Sequence, residues 1–593
     1  MNKARTLPAA LPLLLAVLFF LSFAYPGLRA YFTGDDFMNL QKMHGYFTTP
    51  VARVALEVFN PLSSSYRPMG GLFYRALYAA VGFHPLPFRC ACFALLIVNL
   101  LLAYRLLRFL SGSTEAALLG TLVFSYHAEM YGLYFNTGTI YDILCFTFFT
   151  LALLLYVRYR REFGGLPWQA WAGLMVLDLL ALQSKEMAWT LPAILLLYEV
   201  LYFWRARRSR LPGSVAPALA TGLLTLLPLF PRILGRTGLT SSPLYHPNLS
   251  PGYFLANCAH YWSLIFYAPD RIGVTLMLAM WTGMALSAAF FRSRAMGFGL
   301  LFWMIGIAPV AVIQPRAGYV LYLPMLGLAL YAGVLASRLR EFVTASRVSQ
   351  VCLFGLLAAG LAFAHARHRA VYAGTVAVQS ETRGLVVQLR RMHPTLARKA
   401  HVLFVEDPFA DEWLLEFLFR LLYDDPDLWV DSAALHPHAR TYEYVFRYAG
   451  GKLEELPPRL SACTPQTLPA GLTDDTSPLL CWDGDWITQR FPQPIGGTLT
   501  YAGDAGATAR VAFRGTTLEY LCTRAFNRGL VDIAIDGVPR GTLDLYSRDT
   551  VWQAPFRFDG LSPGEHTAVL RVLGRHNPAA TDSIVDVDAF RVQ

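Results

Sequence analysis

The first 368 residues of this 593-residue chain consist mainly of apolar runs separated by short loops that carry arginines, and few soluble folds can accommodate that pattern. A membrane-crossing helix needs about 20 mostly apolar residues. Eleven such spans are expected, at about 7–25, 87–107, 115–133, 138–157, 167–183, 187–204, 214–232, 272–291, 296–314, 317–336 and 349–366. The first resembles a signal peptide, because Lys3 and Arg5 precede it, but "SFAYPGLRAYF" offers no convincing small-residue cleavage site and a retained helix is the better reading. Composition agrees: 55% hydrophobic and 15% charged residues, against roughly 45–50% and about 25% in soluble chains, exclude a purely soluble enzyme.

Basic residues fix the expected orientation. They cluster after alternate spans, at Lys3/Arg5, Arg105/Arg108, Arg158/Arg160/Arg161, Arg205/Arg207/Arg208/Arg210, Arg292/Arg294 and Arg338/Arg340/Arg347, which makes those ends cytoplasmic. The apolar segment 253–268 would invert the Arg292/Arg294 loop if it spanned, so it is expected to lie along or half within the outer surface. An odd span count puts the N-terminus in the cytoplasm and the tail outside an inner or plasma membrane. Residues 1–368 carry a net +16 and residues 369–593 a net −6. The basic pI therefore reflects membrane-flanking arginines and does not indicate a nucleic-acid surface.

The tail divides in two. Residues 369–480 mix helical and strand patterns ("TVAVQSETRGLVVQLRRMH", "HVLFVED", "DEWLLEFLFRLLY", "LWVDS"), which predicts a small α/β module. Residues 481–593 show eight short strands between Gly, Asn and Asp turns, which predicts a β-sandwich. Cys90, Cys92, Cys145, Cys258 and Cys352 fall in or near apolar spans as packing residues; Cys463 and Cys481 are a candidate exported disulfide, and Cys522 lies in a strand. No Cys/His spacing suggests structural zinc.

Ionisable residues beside spans are costly and usually face a cavity. Here they fall on one side of the expected topology: Asp35 and Asp36 in "YFTGDDFMNL", Arg67 in "SSYRPMGG", His127, Glu129 and Asp142 in "YHAEMYGLYFNTGTIYD", Lys185 and Glu186 in "QSKEMAW", and Arg316 and Tyr319 in "QPRAGYVLYLP". Each has a plainer reading. The arginines serve as interfacial anchors, His127 as a packing residue, Asp142 as a helix N-terminal charge, and Lys185 and Glu186 as a mutually neutralising pair. The plainer reading is weakest for Asp35 and Asp36, since adjacent carboxylates repel each other beside a bilayer. Asp178 is the clear acidic residue inside a span, where a local polar contact and a functional role compete.

Such a cavity suits glycosyl transfer from a lipid phosphate. That reaction needs a base for the acceptor's proton and cations for the departing phosphate, and no general acid; attack opposite the leaving group inverts the sugar. Asp35 or Asp36 is the candidate base. Arg67, Lys185 and Arg316 are candidates for the phosphate, with arginine favoured for bidentate contacts. His127, Glu129, Asp142, Glu186 and Tyr319 complete the candidate donor site.

In order, the acidic pair at 35–36, "YRP" at 66–68, "HAEMY" at 127–131 with Asp142 beyond, "SKE" at 184–186 and "RAGYVLYLP" at 316–324 resemble the GT-C superfamily of integral-membrane glycosyltransferases. The likeness is to the protein O-mannosyltransferase-like branch, including the tetratricopeptide-bearing transmembrane O-mannosyltransferases, and covers about residues 1–366. It implies a polyprenyl-phosphate sugar donor (mannose, glucose or arabinose derivatives), Asp35 as catalytic acidic residue with Asp36 as its partner, and no required metal, a divalent cation remaining open. Two departures stand out: Asp36 occupies a position that is usually Glu, and the tail has neither helical-hairpin repeats nor a β-trefoil. Protein, lipid and surface glycan all stay open as acceptor, and a bacterial envelope enzyme is favoured. "NRGLVDIAIDGVPRGTLDLYS", "LSPGEHTAVLRVLG" and "VDVDAF" resemble the galactose-binding-like jelly rolls of bacterial exported proteins, which implies a glycan contact or a spacer. The alternatives are a transporter or lipid-glycan translocase, expected to show mid-span charges and repeated halves, and a non-catalytic envelope glycan-binding protein.

Overall fold

The computed structural model describes the chain except residues 1–9, 43–49, 63–66, 126, 205–210, 235–244, 269–270, 344–346, 408, 410–412, 433–441 and 459–464. It divides into two compact units, 1–383 and 384–593.

The first unit is helical. Among the described residues three helices, Pro85–Ser111, Thr137–Phe163 and Arg294–Ala311, are long and apolar enough to cross a membrane, and the bent pair Leu13–Arg29 and Gly34–Gln41, angled at 69°, adds a fourth candidate. Thr114–Ser125, Trp168–Leu182 and Val274–Phe290 are apolar but shorter, and the 24-residue helix Leu211–Leu234 is apolar over Val215–Leu229. The chain is thus an integral membrane protein, and among the described residues these helices account for part of the eleven spans expected. Some of the expected runs are divided between a helix and a 3-10 turn. The run expected at 187–204, for example, becomes the turn Glu186–Thr190 followed by the helix Leu191–Tyr202.

Local chemistry sets the helix ends. Pro85 starts Pro85–Ser111, where a missing N–H costs nothing, and Gly112 closes it at φ 70° with its N–H on the Arg108 carbonyl. Close packing depends on small residues. A Cβ on Gly333 would lie 2.2 Å from the Ala116 carbonyl oxygen, and one on Gly120 2.6 Å from that of Ala329, so Thr114–Ser125 and Met325–Val343 meet backbone to backbone. The segment expected along the outer surface is the helix Pro251–Ile265. Its Asn257 amide donates to the Ala311 and Ile313 carbonyls at 2.9 Å each, and Cys258, Tyr261 and Trp262 are buried.

Arg347–Met392 is one helix of 46 residues, about 69 Å at the usual rise. It runs without a break through the boundary expected at 368 and joins the last expected span to the expected amphipathic run.

In the second unit the strands Trp429–Ser432, His401–Glu406, Tyr444–Ala449 and Lys452–Leu456 form a sheet in that order, parallel except for the last pair. Leu414–Tyr423 is the intervening helix. The sheet-rich part begins before 481: Thr467–Leu468 pairs with Thr508–Gly515, and Gly471–Asp474 pairs with Ala589–Val592. Val511, Phe513, Tyr520, Ile533, Leu570 and Phe590 meet in one core between the sheets. Cys481 is disulfide-bonded; its expected partner, Cys463, lies outside the described residues.

Buried carboxyls make this unit sensitive to pH. Burial pushes Asp475 up to about 7, against the hydrogen bonds it accepts from the Thr498 and Thr500 hydroxyls at 2.7 Å, and burial pushes Asp588 up to about 6. A group whose folded pKa is raised contributes its stability at acid pH and loses it as pH rises through that pKa. Hydrogen exchange in Thr498–Ala502 and Ala589–Val592 is therefore expected to quicken severalfold between pH 4 and pH 8 after correction for intrinsic rates. Asp475→Asn is expected to flatten that dependence, and an unchanged slope in the variant would refute the assignment.

Candidate active site

Seven of the ten residues singled out in the sequence line one cavity of about 270 Å³: Asp35, Arg67, Asp142, Lys185, Glu186, Arg316 and Tyr319. Asp36, His127 and Glu129 do not line it. Its remaining wall is mostly apolar and aromatic, including Met38, Tyr141, Trp189, Tyr245, Val310 and Ile313.

Asp35 and Asp36 both sit in the first turn of Gly34–Lys42, where a carboxylate is favoured by the helix dipole, yet their environments are opposite. Asp35 is exposed to the cavity; its Oδ2 accepts from the Asn136 side-chain amide at 2.8 Å, and Oδ1 has no partner among the described residues. Asp36 is 0% exposed. It accepts from the Thr33 N–H at 2.8 Å, the Thr137 N–H at 2.7 Å, the Thr137 hydroxyl, and the Arg89 guanidinium at 2.9 Å. Both Asp36 oxygens are thus occupied, and neither faces the cavity. Asp36 fastens the Gly34–Lys42 helix to the 136–139 turn and to Pro85–Ser111.

Lys185 and Glu186 do not neutralise each other. The Lys185 ammonium pairs with Asp142 at 2.6 Å and lies 5.0 Å from the Tyr319 ring centroid. Glu186 pairs with Arg67 at 2.6 Å, whose guanidinium stands 5.3 Å from the Tyr141 ring centroid. Arg67 adopts the left-handed conformation (φ 48°) just before Pro68 opens the helix Pro68–Val81, a turn that carries the chain into the cavity wall. Arg316 differs from both. Its guanidinium donates to the Tyr245 hydroxyl at 3.0 Å and lies 4.9 Å from that ring, and among the described residues no carboxylate pairs with it.

His127 stacks on Tyr267 at 4.7 Å, with Nδ1 accepting from the Glu129 N–H and Nε2 donating to the Ile265 carbonyl. That bonding fixes a neutral tautomer. The Glu129 backbone abuts Gly318, so this turn supports the Gly318–Leu321 turn from behind. Asp178 is buried, and neither carboxylate oxygen has a hydrogen-bond partner among the described residues. Among those residues no group of three or more His, Cys, Asp or Glu could hold a metal.

The sequence reading missed Arg89, Asn136, Thr137 and Tyr245. Arg89 carried a usable signal, being a cation within an apolar span. The cavity also lies far from the arginine-rich helix ends. Asp142 and Arg158 belong to the same helix, Ile140–Phe163, and their spacing corresponds to about 24 Å along its axis.

No family model matches the chain. Over 117 residues, 20% of its length, it is 28% identical to the A type blood N-acetyl-alpha-D-galactosamine deacetylase of Flavonifractor plautii, and it spans only 14% of that curated relative. Among solved structures it is similar to ArnT from Cupriavidus metallidurans bound to undecaprenyl phosphate, with a TM-score of 0.44 and 14% identity over 74% of this chain and 92% of that one. It is also similar to the Archaeoglobus fulgidus oligosaccharyltransferase, with a TM-score of 0.43 and 11% identity over 72% of this chain and 65% of that one.

Proposed function

We propose that the chain is an inverting integral-membrane glycosyltransferase that moves a sugar from a polyprenyl-phosphate donor to an extracytoplasmic acceptor. One observation carries this reading: a single cavity holds Asp35, a carboxylate with one oxygen that has no partner among the described residues, and Arg316, a cation that no carboxylate among those residues pairs with. Asp35 Oδ1 takes the acceptor's proton as its oxygen attacks the anomeric carbon. The sugar–phosphate bond breaks, its electron pair leaves on the phosphate oxygen, and Arg316 with the Tyr245 hydroxyl meets the charge. Arg67 and Lys185, already neutralised by Glu186 and Asp142, shape the wall. The reaction calls for no resident metal.

The disulfide at Cys481 supports a tail in an oxidising, extracytoplasmic compartment. The C-terminal sandwich, read as a galactose-binding-like jelly roll, is a spacer or docks the acceptor. Sugar, lipid length and the choice among protein, lipid and glycan acceptors are to be identified by transfer assays.

The test is transfer from a panel of labelled polyprenyl-phosphate sugars. Arg316→Ala is expected to raise the donor KM about tenfold or more, with Arg316→Lys recovering part of the loss. If no donor yields a labelled product, the reading fails.

A further inference from the structure

We infer that Asn136 is the positioning residue of the base, holding Asp35 so that only Oδ1 faces the acceptor; this rests on the transfer reaction proposed above. The Asn136 side chain is fixed at both ends. Its Oδ1 accepts from the Gly138 N–H at 2.7 Å, closing a local turn, and its Nδ2 donates to Asp35 Oδ2 at 2.8 Å. The bond to Gly138 settles which end of the amide is oxygen, so the donor necessarily points at the carboxylate.

The same turn closes on Asp35 from a second direction. A Cβ on Gly138 would lie 2.9 Å from Asp35 Cβ and 3.1 Å from Asn39 Nδ2, and Asn39 itself donates to the Asp35 carbonyl at 2.7 Å. Thr137, between Asn136 and Gly138, is tied through its N–H to Asp36 at 2.7 Å and through its hydroxyl to Tyr74 at 3.1 Å. The Asn-Thr-Gly turn therefore grips both aspartates: Thr137 anchors the helix through the buried one, and Asn136 orients the exposed one. With Oδ2 occupied and its plane set, the carboxylate presents one basic oxygen to the cavity. Geometry of this kind is worth large factors in rate, since a misplacement of about 1 Å costs on the order of a hundredfold.

Asn136→Asp separates the two jobs of the side chain. An aspartate keeps the oxygen that accepts from Gly138 and so keeps the turn, but it replaces the N–H that Asp35 receives with a second carboxylate oxygen, which repels Asp35 from its held position. In the full-length protein with the donor that wild type uses, kcat is expected to fall about a hundredfold, with the donor KM within about twofold and the melting temperature nearly unchanged. Asn136→Ser also retains a turn acceptor without the amide donor, and it is expected to match that loss should the first variant fail to accumulate. Wild-type kcat in either folded variant, or a loss that appears only in KM or melting temperature, overturns the role of Asn136 and leaves the transferase reading intact. Absence of transfer by wild type with every donor overturns both.

Discussion

Asp35→Asn is expected to lower kcat by about a thousandfold or more, within the range that removal of a general base produces, while the melting temperature of the solubilised protein barely moves. The second half of that expectation follows from exposure. Asp35 projects into the cavity, and its side chain receives one hydrogen bond, from Asn136. Asparagine retains an oxygen for that bond, and exposed substitutions of this kind usually stay within about 0.5 kcal/mol. Loss of transfer together with loss of fold would count against Asp35 as the base, and so would full activity in the variant.

Its neighbour is expected to behave in the opposite way. Asp36→Ala leaves Arg89, 1% exposed, without its carboxylate, and leaves the Thr33 and Thr137 donors unfilled. Breaking one side of a buried ion pair costs about 3–5 kcal/mol because the surviving charge stays buried. The variant should unfold at markedly lower denaturant or temperature, and any loss of activity should scale with the folded fraction. Arg89→Ala should match it, and the double substitution should cost less than the two single effects summed, since the buried positive charge and its partner leave together. A fully stable Asp36→Ala that merely lacks activity would remove the distinction between the two aspartates.

That distinction was out of reach of the sequence. Two adjacent acidic residues after an apolar run signal a site, but only the fold shows that consecutive helical positions point in different directions, one at Arg89 and the other at open space. For the same reason the dipeptide at 185–186 reads in sequence as a self-cancelling pair, whereas its side chains diverge to Asp142 and Arg67. The polar segments between apolar runs named most of the cavity wall because charges beside a bilayer are costly and concentrate where they work. His127 and Glu129 passed the same filter, yet they support the turn behind Tyr319. Composition does not separate a residue that lines a cavity from one that supports its wall.

The membrane helices show a similar limit. Hydropathy locates apolar runs well and their ends poorly, because Met187, Ala188 and Trp189 in the turn Glu186–Thr190 lead directly into the apolar helix that follows. The helix Arg347–Met392 was read in two pieces for a related reason: residues 351–364 are uniformly apolar and its C-terminal part is amphipathic, and nothing in the switch of pattern marks the unbroken backbone. In the tail, strands alternate strictly enough that the turns gave away most boundaries. The short pairings at Thr467–Leu468 and Gly471–Asp474 are set by partners more than 40 positions away, so local pattern could not reveal them.

The crossed pairing at Lys185 and Glu186 bears on how such a protein can change over generations. Each member of that dipeptide answers to a different helix, Lys185 to Asp142 in Ile140–Phe163 and Glu186 to Arg67 at the start of Pro68–Val81. A charge reversal at either position is compensated only by a reversal at its distant counterpart, never by its chain neighbour. Among descendants of a common ancestor, positions 67 and 186 should therefore drift together, as should 142 and 185.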